Sequence, residues 1–185
     1  MLRRLGHIDA SGVVLPKGRA ACEVDTADEL VVTELMFDGA FGGLSPAACA
    51  SLAACFIPTE KSGVEKMRPE VAPGFAALRR AAAHVAEVQA DCAMEVEADE
   101  FVDSFKPTLC DAVFRWAHKE PFGEVMKHTD LFEGTVVRAI RRLDELLGQL
   151  AAAAKAAGDT ALCSTFEEAA ISLRHGICFA NSLYI

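Results

Sequence analysis

Residues 129–150 constrain this chain more than any other stretch. Their sequence, TDLFEGTVVRAIRRLDELLGQL, places apolar side chains at a helical period. At about 100° per residue, Val136, Ile140, Leu143, Leu147 and Leu150 share one narrow arc. Arg138, Arg142, Glu145 and Gln149 share the opposite side, with Arg141 at its edge. A helix of this kind must bury one face, so the other segments have to supply what packs around it. The outer face reads in two ways. It is either a solvated face held by local ion pairs such as Arg141–Glu145, or a stripe that touches an anionic ligand such as a nucleic-acid strand.

Composition favours a helical surrounding. Hydrophobic residues make up 52% of the 185, much of that share is alanine, and there is one Tyr and one Trp. That mix suits close-packed helices better than a β-sandwich. The formal net charge is −9, the wrong sign for a stand-alone non-specific nucleic-acid binder. Contact with RNA or DNA is therefore expected to be local, with other parts neutralising the remaining phosphates. The seven cysteines contain no C-x-x-C pair and the five histidines lack ligand spacing. Neither a zinc site nor a disulfide framework is predicted, which fits a reducing compartment. No apolar run reaches the roughly 20 residues of a membrane span, and residues 1–10 lack an apolar signal core.

Along the chain, residues 2–5 read as the last turn of a helix that Gly6 ends. Residues 13–15 and 20–24 read as short strands joined by a Pro16-Lys17-Gly18-Arg19 turn, giving a β-hairpin. Everything from Asp28 reads helical. Helices are expected over 28–38, 47–57 with Ser45 as cap and Pro46 at the first position, 69–92, 98–105, 108–118 and 121–127. Thr129 or Asp130 is expected to cap the long helix, which runs to Ala157 before Gly158. Asp159 then caps a last helix reaching about Ala180, with Leu162, Phe166, Ala169, Leu173 and Ile177 inward. The sequence thus predicts a mainly α protein, a bundle of about seven helices.

No phosphate-cradling glycine loop, nucleophile elbow, zinc-protease motif or calcium loop is present. The acidic run Glu95, Glu97, Asp99, Glu100 and Asp103 suits a solvated linker and helix start. Trp116 sits on an apolar helix face and reads as core. Residues 107–150 form a helix, short helix, turn and long helix, a weak likeness to a helix-turn-helix. The chain by itself gives no basis for calling it an enzyme.

Several motifs in order carry a resemblance. They are Lys17-Gly18-Arg19-Ala20-Ala21-Cys22-Glu23, Asp28-Glu29-Leu30, Thr33-Glu34-Leu35-Met36-Phe37, Ala53-Ala54-Cys55-Phe56 and Ser104-Phe105-Lys106-Pro107. The strongest are Thr129-Asp130-Leu131-Phe132-Glu133-Gly134 and Arg141-Arg142-Leu143-Asp144-Glu145-Leu146, and Ser182-Leu183-Tyr184 closes the series. Together they resemble the C-terminal region, often called DSHCT, of superkiller-type DExH-box RNA helicases, which feed RNA to the exosome.

The resemblance implies that residues 1–25 end a winged helix, with the hairpin as its wing, and that 26–185 form the helical bundle. It implies a parent that is an ATP-dependent 3′–5′ RNA helicase, with ATP and Mg held by RecA-like domains outside this chain and no cofactor within it. One bundle helix of that family, the ratchet helix, lines the RNA channel. By position it is the helix of residues 129–157, and the family's RNA-contacting residues fall on Arg142 and Glu145. Arg138 and Arg141 are expected helpers, and Glu60 matches a channel-facing acidic position more weakly. Implied partners are single-stranded RNA, the RecA-like core, and the exosome with its adaptors; no membrane is implied.

Two departures bear on this. Pro58-Thr59 replaces the usual aromatic-Gln pair before Glu60, and Arg174-His175-Gly176 replaces a basic-Arg-Asp run. Ser104-Phe105-Lys106-Pro107 leans toward the nuclear branch, the preferred location, and residues 121–127 lean toward the cytoplasmic alternative. A different reading of the chain is a free-standing helical protein-interaction module without a motor. Another is a DNA-directed relative with the same bundle.

Overall fold

The computed structural model of the chain describes residues 1–60, 62–63 and 66–180. In chain order its helices are α1 (Pro16–Ala21), α2 (Glu29–Phe37) and α3 (Pro46–Ala53), the last running into a 3-10 turn over Ala54–Phe56. Next come α4 (Ala72–Asp91), α5 (Ala98–Ser104), α6 (Cys110–Ala117) and α7 (Phe122–Met126). The chain then forms α8 (Glu133–Ala157), α9 (Thr160–Leu173) and α10 (Gly176–Phe179). The mainly helical expectation is met, with ten α-helices among the described residues rather than about seven. Residues 58–66, between the helices expected over 47–57 and 69–92, lie partly outside the described residues, and Ser182-Leu183-Tyr184 lies wholly outside them.

α8 is the hub. It packs along α9 and α1 and also touches α3 and α10, while α3 sits between α6, α8 and α9. The apolar arc behaves as its period requires: Val136, Ile140, Leu143, Leu147 and Leu150 are all fully buried. Each such side chain contributes about 1.5–3 kcal/mol relative to exposure. Leu5, Ala20 and Val24 join the same hydrophobic cluster as the helices, so residues 1–25 share the core. Ends follow the sequence where caps were legible. Ser45 accepts from the Ala48 amide at 3.3 Å and Asp159 from Leu162 at 2.9 Å, while Asp28, expected as a first helical residue, is itself the cap of α2 and accepts from the Val31 amide at 2.8 Å. Gly158 closes α8 in the left-handed region.

The hairpin does not form. Residues 16–21 are helical, and the only strand-like pairing among the described residues is one antiparallel bridge, Ile8 to Val14. Pro16 takes the first helical position, where its fixed φ favours the helix and its missing N–H costs nothing. Gly18 serves close packing instead of a turn. A Cβ there would lie 2.3 Å from the His7 carbonyl oxygen, so α1 can rest on the preceding loop only with glycine at this point.

The last helix is also shorter than expected. α9 stops at Leu173, and the chain restarts as α10. The indole Nε1 of Trp116 donates to the Leu173 carbonyl at 2.9 Å, satisfying it outside the helical ladder. The His175 ring then stacks on Trp116 at 3.9 Å. Gly176 lies at φ +55°, where a Cβ would approach the indole to 2.9 Å. This break turns Ile177 outward, 57% exposed, against the expectation that it faces inward. Trp116 itself is core, as expected, at 2% exposed.

One buried ion network fixes the chain before α4. Asp111 of α6 holds Arg68 at 2.5 Å and Arg115 at 2.9 Å, and the Arg68 guanidinium lies 4.6 Å from the Phe114 ring centre. With its side chain almost wholly buried, Asp111 depends on both partners.

Candidate nucleic-acid interface

Residues 57–60 leave the 3-10 turn with Ile57 extended and buried. The preceding Phe56 packs edge-on against Phe105, 5.5 Å between ring centres. The far end of the same loop is tied to the approach of α8. Asp130 accepts hydrogen bonds from the Ser62 hydroxyl and, at 2.7 Å, from the Gly63 amide. Those donors, the hydroxyl first, hold the Asp130 carboxyl below its ordinary pKa. Asp130 is therefore a tie between loop and helix rather than the expected helix cap. Thr129 likewise accepts from the Leu131 amide, and α8 begins after Phe132 without a side-chain cap.

Between the loop and α8 lies an open cleft of about 500 Å³, lined by Pro58, Thr59, Glu60, Thr135, Arg138 and Arg142 among others. The structure thus brings together three of the five residues singled out from the sequence: Glu60, Arg138 and Arg142. Arg138 is exposed and donates to the Thr135 hydroxyl at 3.3 Å, one turn back on α8. Arg142 is exposed and donates to the Thr26 carbonyl at 3.3 Å. A guanidinium carries five N–H donors, so one long bond aims Arg142 while leaving most of its donors for a ligand.

The other two residues stand apart. Arg141 donates through Nε to the Cys178 carbonyl at 2.5 Å and through Nη2 to the Ala180 carbonyl at 3.3 Å. A cation at the carbonyl end of α10 is a favourable helix stop, and it takes Arg141 out of the cleft. The expected Arg141–Glu145 ion pair does not form. Glu145 is exposed, lies about one turn beyond Arg142, does not line the cleft, and has no ion pair among the described residues. Gln149, the last member of the stripe, is a brace. Its Oε1 accepts from the amides of Asp25 and Thr26 at 3.1 and 3.0 Å, and its Nε2 donates to Asp25 Oδ1. It holds the bend before α2 against the hub helix.

Sequence reasoning missed the hydroxyls of Thr59 and Thr135 on the cleft wall and the Asp130 tie. Thr135 was findable, because it lies two turns before Arg142 on the same face. The tie was not, since it joins residues 67 apart.

The lining of the cleft offers partners to an anion. Two guanidinium groups and hydroxyls face a single carboxylate, so phosphates and flat bases both find partners. Burial pushes the thiol of Cys49 up to about 12 and that of Cys178 up to about 11, so neither is a thiolate at neutral pH. Among the described residues no group of three or more His, Cys, Asp or Glu could hold a metal ion. No described helix is long and apolar enough to cross a membrane.

Comparison with known proteins adds the family. The model for the DSHCT (NUC185) domain matches residues 11–180. The chain is 49% identical over 187 residues to DExH-box ATP-dependent RNA helicase DExH10 of Arabidopsis thaliana. It is 41% identical over 186 residues to Exosome RNA helicase MTR4 of Homo sapiens, and 36% identical over 185 residues to Superkiller complex protein 2 of Homo sapiens. Each match covers all of this chain, which spans 19%, 18% and 15% of those relatives respectively. With the family model matching residues 11–180 and the relatives matching over the length of this chain, the chain belongs to the DSHCT domain family, the C-terminal region of superkiller-type DExH-box RNA helicases.

Proposed function

We propose that this chain is the C-terminal RNA-channel module of an ATP-dependent 3′–5′ RNA helicase that feeds RNA to the exosome for processing and degradation. In this reading α8 is the ratchet helix. Its cleft face contacts single-stranded RNA, Arg138 and Arg142 supply the cationic contacts, and Glu60 and Glu145 bound the path. ATP and Mg belong to RecA-like domains of the parent, and this chain carries no ATPase site of its own. The observation that carries the reading is the meeting of Arg138, Arg142 and Glu60 in one open cleft along a helix whose opposite face is fully buried. A helix held rigidly by its core can present the same contacts at every step, and a few guanidinium contacts release readily enough for a strand to move on. On a chain with net charge −9, such a local patch gives weak, salt-sensitive binding until motor domains add their own cations.

Competition between single-stranded RNA and DNA of equal sequence for the 185-residue chain tests this at low salt. RNA is expected to win, with log affinity falling against log salt at a slope of about −1.4 for two cationic contacts. Preference for DNA, or no binding to either, counts against the reading. The interaction-module alternative draws on an exposed apolar patch near the N-terminus, where Leu2, Val13 and Val14 are 40%, 60% and 45% exposed. A partner that stays bound after complete RNA digestion, combined with absent RNA binding, would favour that alternative.

A further inference from the structure

Lys106 lies outside the residues assigned above, on the far side of the 58–60 loop. A smaller cleft of about 120 Å³ sits there, lined by Ile57, Pro58, Thr59, Glu60, Ser104 and Lys106. The first four of these also line the Arg138–Arg142 cleft, so a single turn of extended chain divides the two. Lys106 is exposed and has no ion pair or hydrogen bond among the described residues. By contrast Arg79, in the next depression beyond it, is neutralised by Asp103 at 2.8 Å.

The backbone at Lys106 is fixed. Phe105 before it is buried and packs edge-on against both Phe56 and Phe101, each at 5.5 Å. Pro107 after it accepts from the Cys110 amide at 2.9 Å, at the start of α6. Phe56 belongs to the segment that leads into the 58–60 loop, so one aromatic cluster sets the spacing between Lys106 and Glu60. An unpaired cation on a rigid mount, in an acidic protein, is placed to meet an anion. The adjoining cleft shares Ile57, Pro58, Thr59 and Glu60 with the cleft on α8, so the two are separated by one short stretch of chain.

We infer that a single-stranded nucleic acid continues from the α8 cleft across the 58–60 loop and sets a backbone phosphate on Lys106, making a second binding position. Lys106 acts there as a point charge on phosphate, without reading the base. This inference rests on the RNA reading of the α8 cleft.

The test is equilibrium binding of the 185-residue chain to fluorescent single-stranded RNAs of about 6 and about 16 nucleotides, lengths that span the range of small single-strand sites. Lys106→Ala is expected to weaken the longer RNA about threefold to tenfold and to lower its salt slope by about 0.7, while leaving the shorter RNA unchanged. Lys106→Arg restores the longer RNA. Arg142→Ala is expected to weaken both lengths. If Arg142→Ala weakens binding and Lys106→Ala does not, the second position is wrong and the α8 cleft stands. If neither variant changes binding, or the wild-type chain binds no RNA, both readings fall. Circular dichroism of each variant checks that the helices are intact.

Discussion

In a helicase that carries this chain beside its motor, Arg142→Ala is expected to slow duplex unwinding at least tenfold while ATP hydrolysis without RNA stays unchanged. A hydrogen bond between charged groups, such as guanidinium to phosphate, is worth about 1.5–3 kcal/mol, and about 1.4 kcal/mol is tenfold. The structural cost of the substitution is small. Arg142 is exposed and contributes a single 3.3 Å hydrogen bond to the Thr26 carbonyl, while Gln149 holds the same bend by three others. Arg141→Ala is the control with the opposite signature. Its guanidinium holds the Cys178 and Ala180 carbonyls, so its loss should loosen the segment after α9 and leave unwinding largely intact. Equal loss of unwinding in both variants would mean that the stripe acts as one surface and that the division drawn here is wrong.

Trp116→Ala should produce the largest loss of stability, about 3–5 kcal/mol. At this chain length that is roughly 10 °C in Tm. The indole is 2% exposed, packs edge-on against Phe122 at 5.8 Å and face-on against His175 at 3.9 Å, and satisfies the Leu173 carbonyl. Removing it leaves a cavity, strips the Leu173 carbonyl of one of its two donors (the His175 amide remains, at 2.8 Å), and takes away the surface on which the α9–α10 break rests. Trp116→Phe keeps most of the volume but not the donor, and is expected to cost about 1–2 kcal/mol. Thermal melts followed by circular dichroism give both values, and hydrogen exchange should show protection lost first at residues 173–179. A Trp116→Ala protein that melts like wild type would remove the indole from the account of the helix break.

The same two regions show what a sequence can and cannot disclose. The buried arc of α8 was legible because periodicity is local: five side chains spaced around one face have only one way to be buried together. Ser45, Gly158 and Asp159 were legible as ends for the same reason. Pro16-Lys17-Gly18-Arg19 was misread because Pro and Gly serve helix starts and turns alike. The decisive fact, Gly18 against the His7 carbonyl, exists only after folding. The C-terminal helix was drawn too long because its interruption is made by Trp116, 57 residues away from Leu173.

In the cleft, Arg138 and Arg142 followed from helical spacing, whereas Glu60 followed only from family resemblance. Helical spacing set Arg142 within the stripe and Arg141 at its edge, but not what either side chain would meet. One meets the cleft and the other caps carbonyls 37 and 39 residues downstream. Long side chains on an amphipathic face therefore announce a surface, and the fold decides which of them are already occupied.

The most direct test of the central claim is to cross-link the 185-residue chain to single-stranded RNA containing a photoreactive uridine and to map the attached peptides. Cross-links concentrated in residues 58–60 and 135–145, and reduced by Arg142→Ala, are the predicted result. Cross-links confined to the apolar surface around Leu2, Val13 and Val14, or scattered without regard to the cleft, would contradict it.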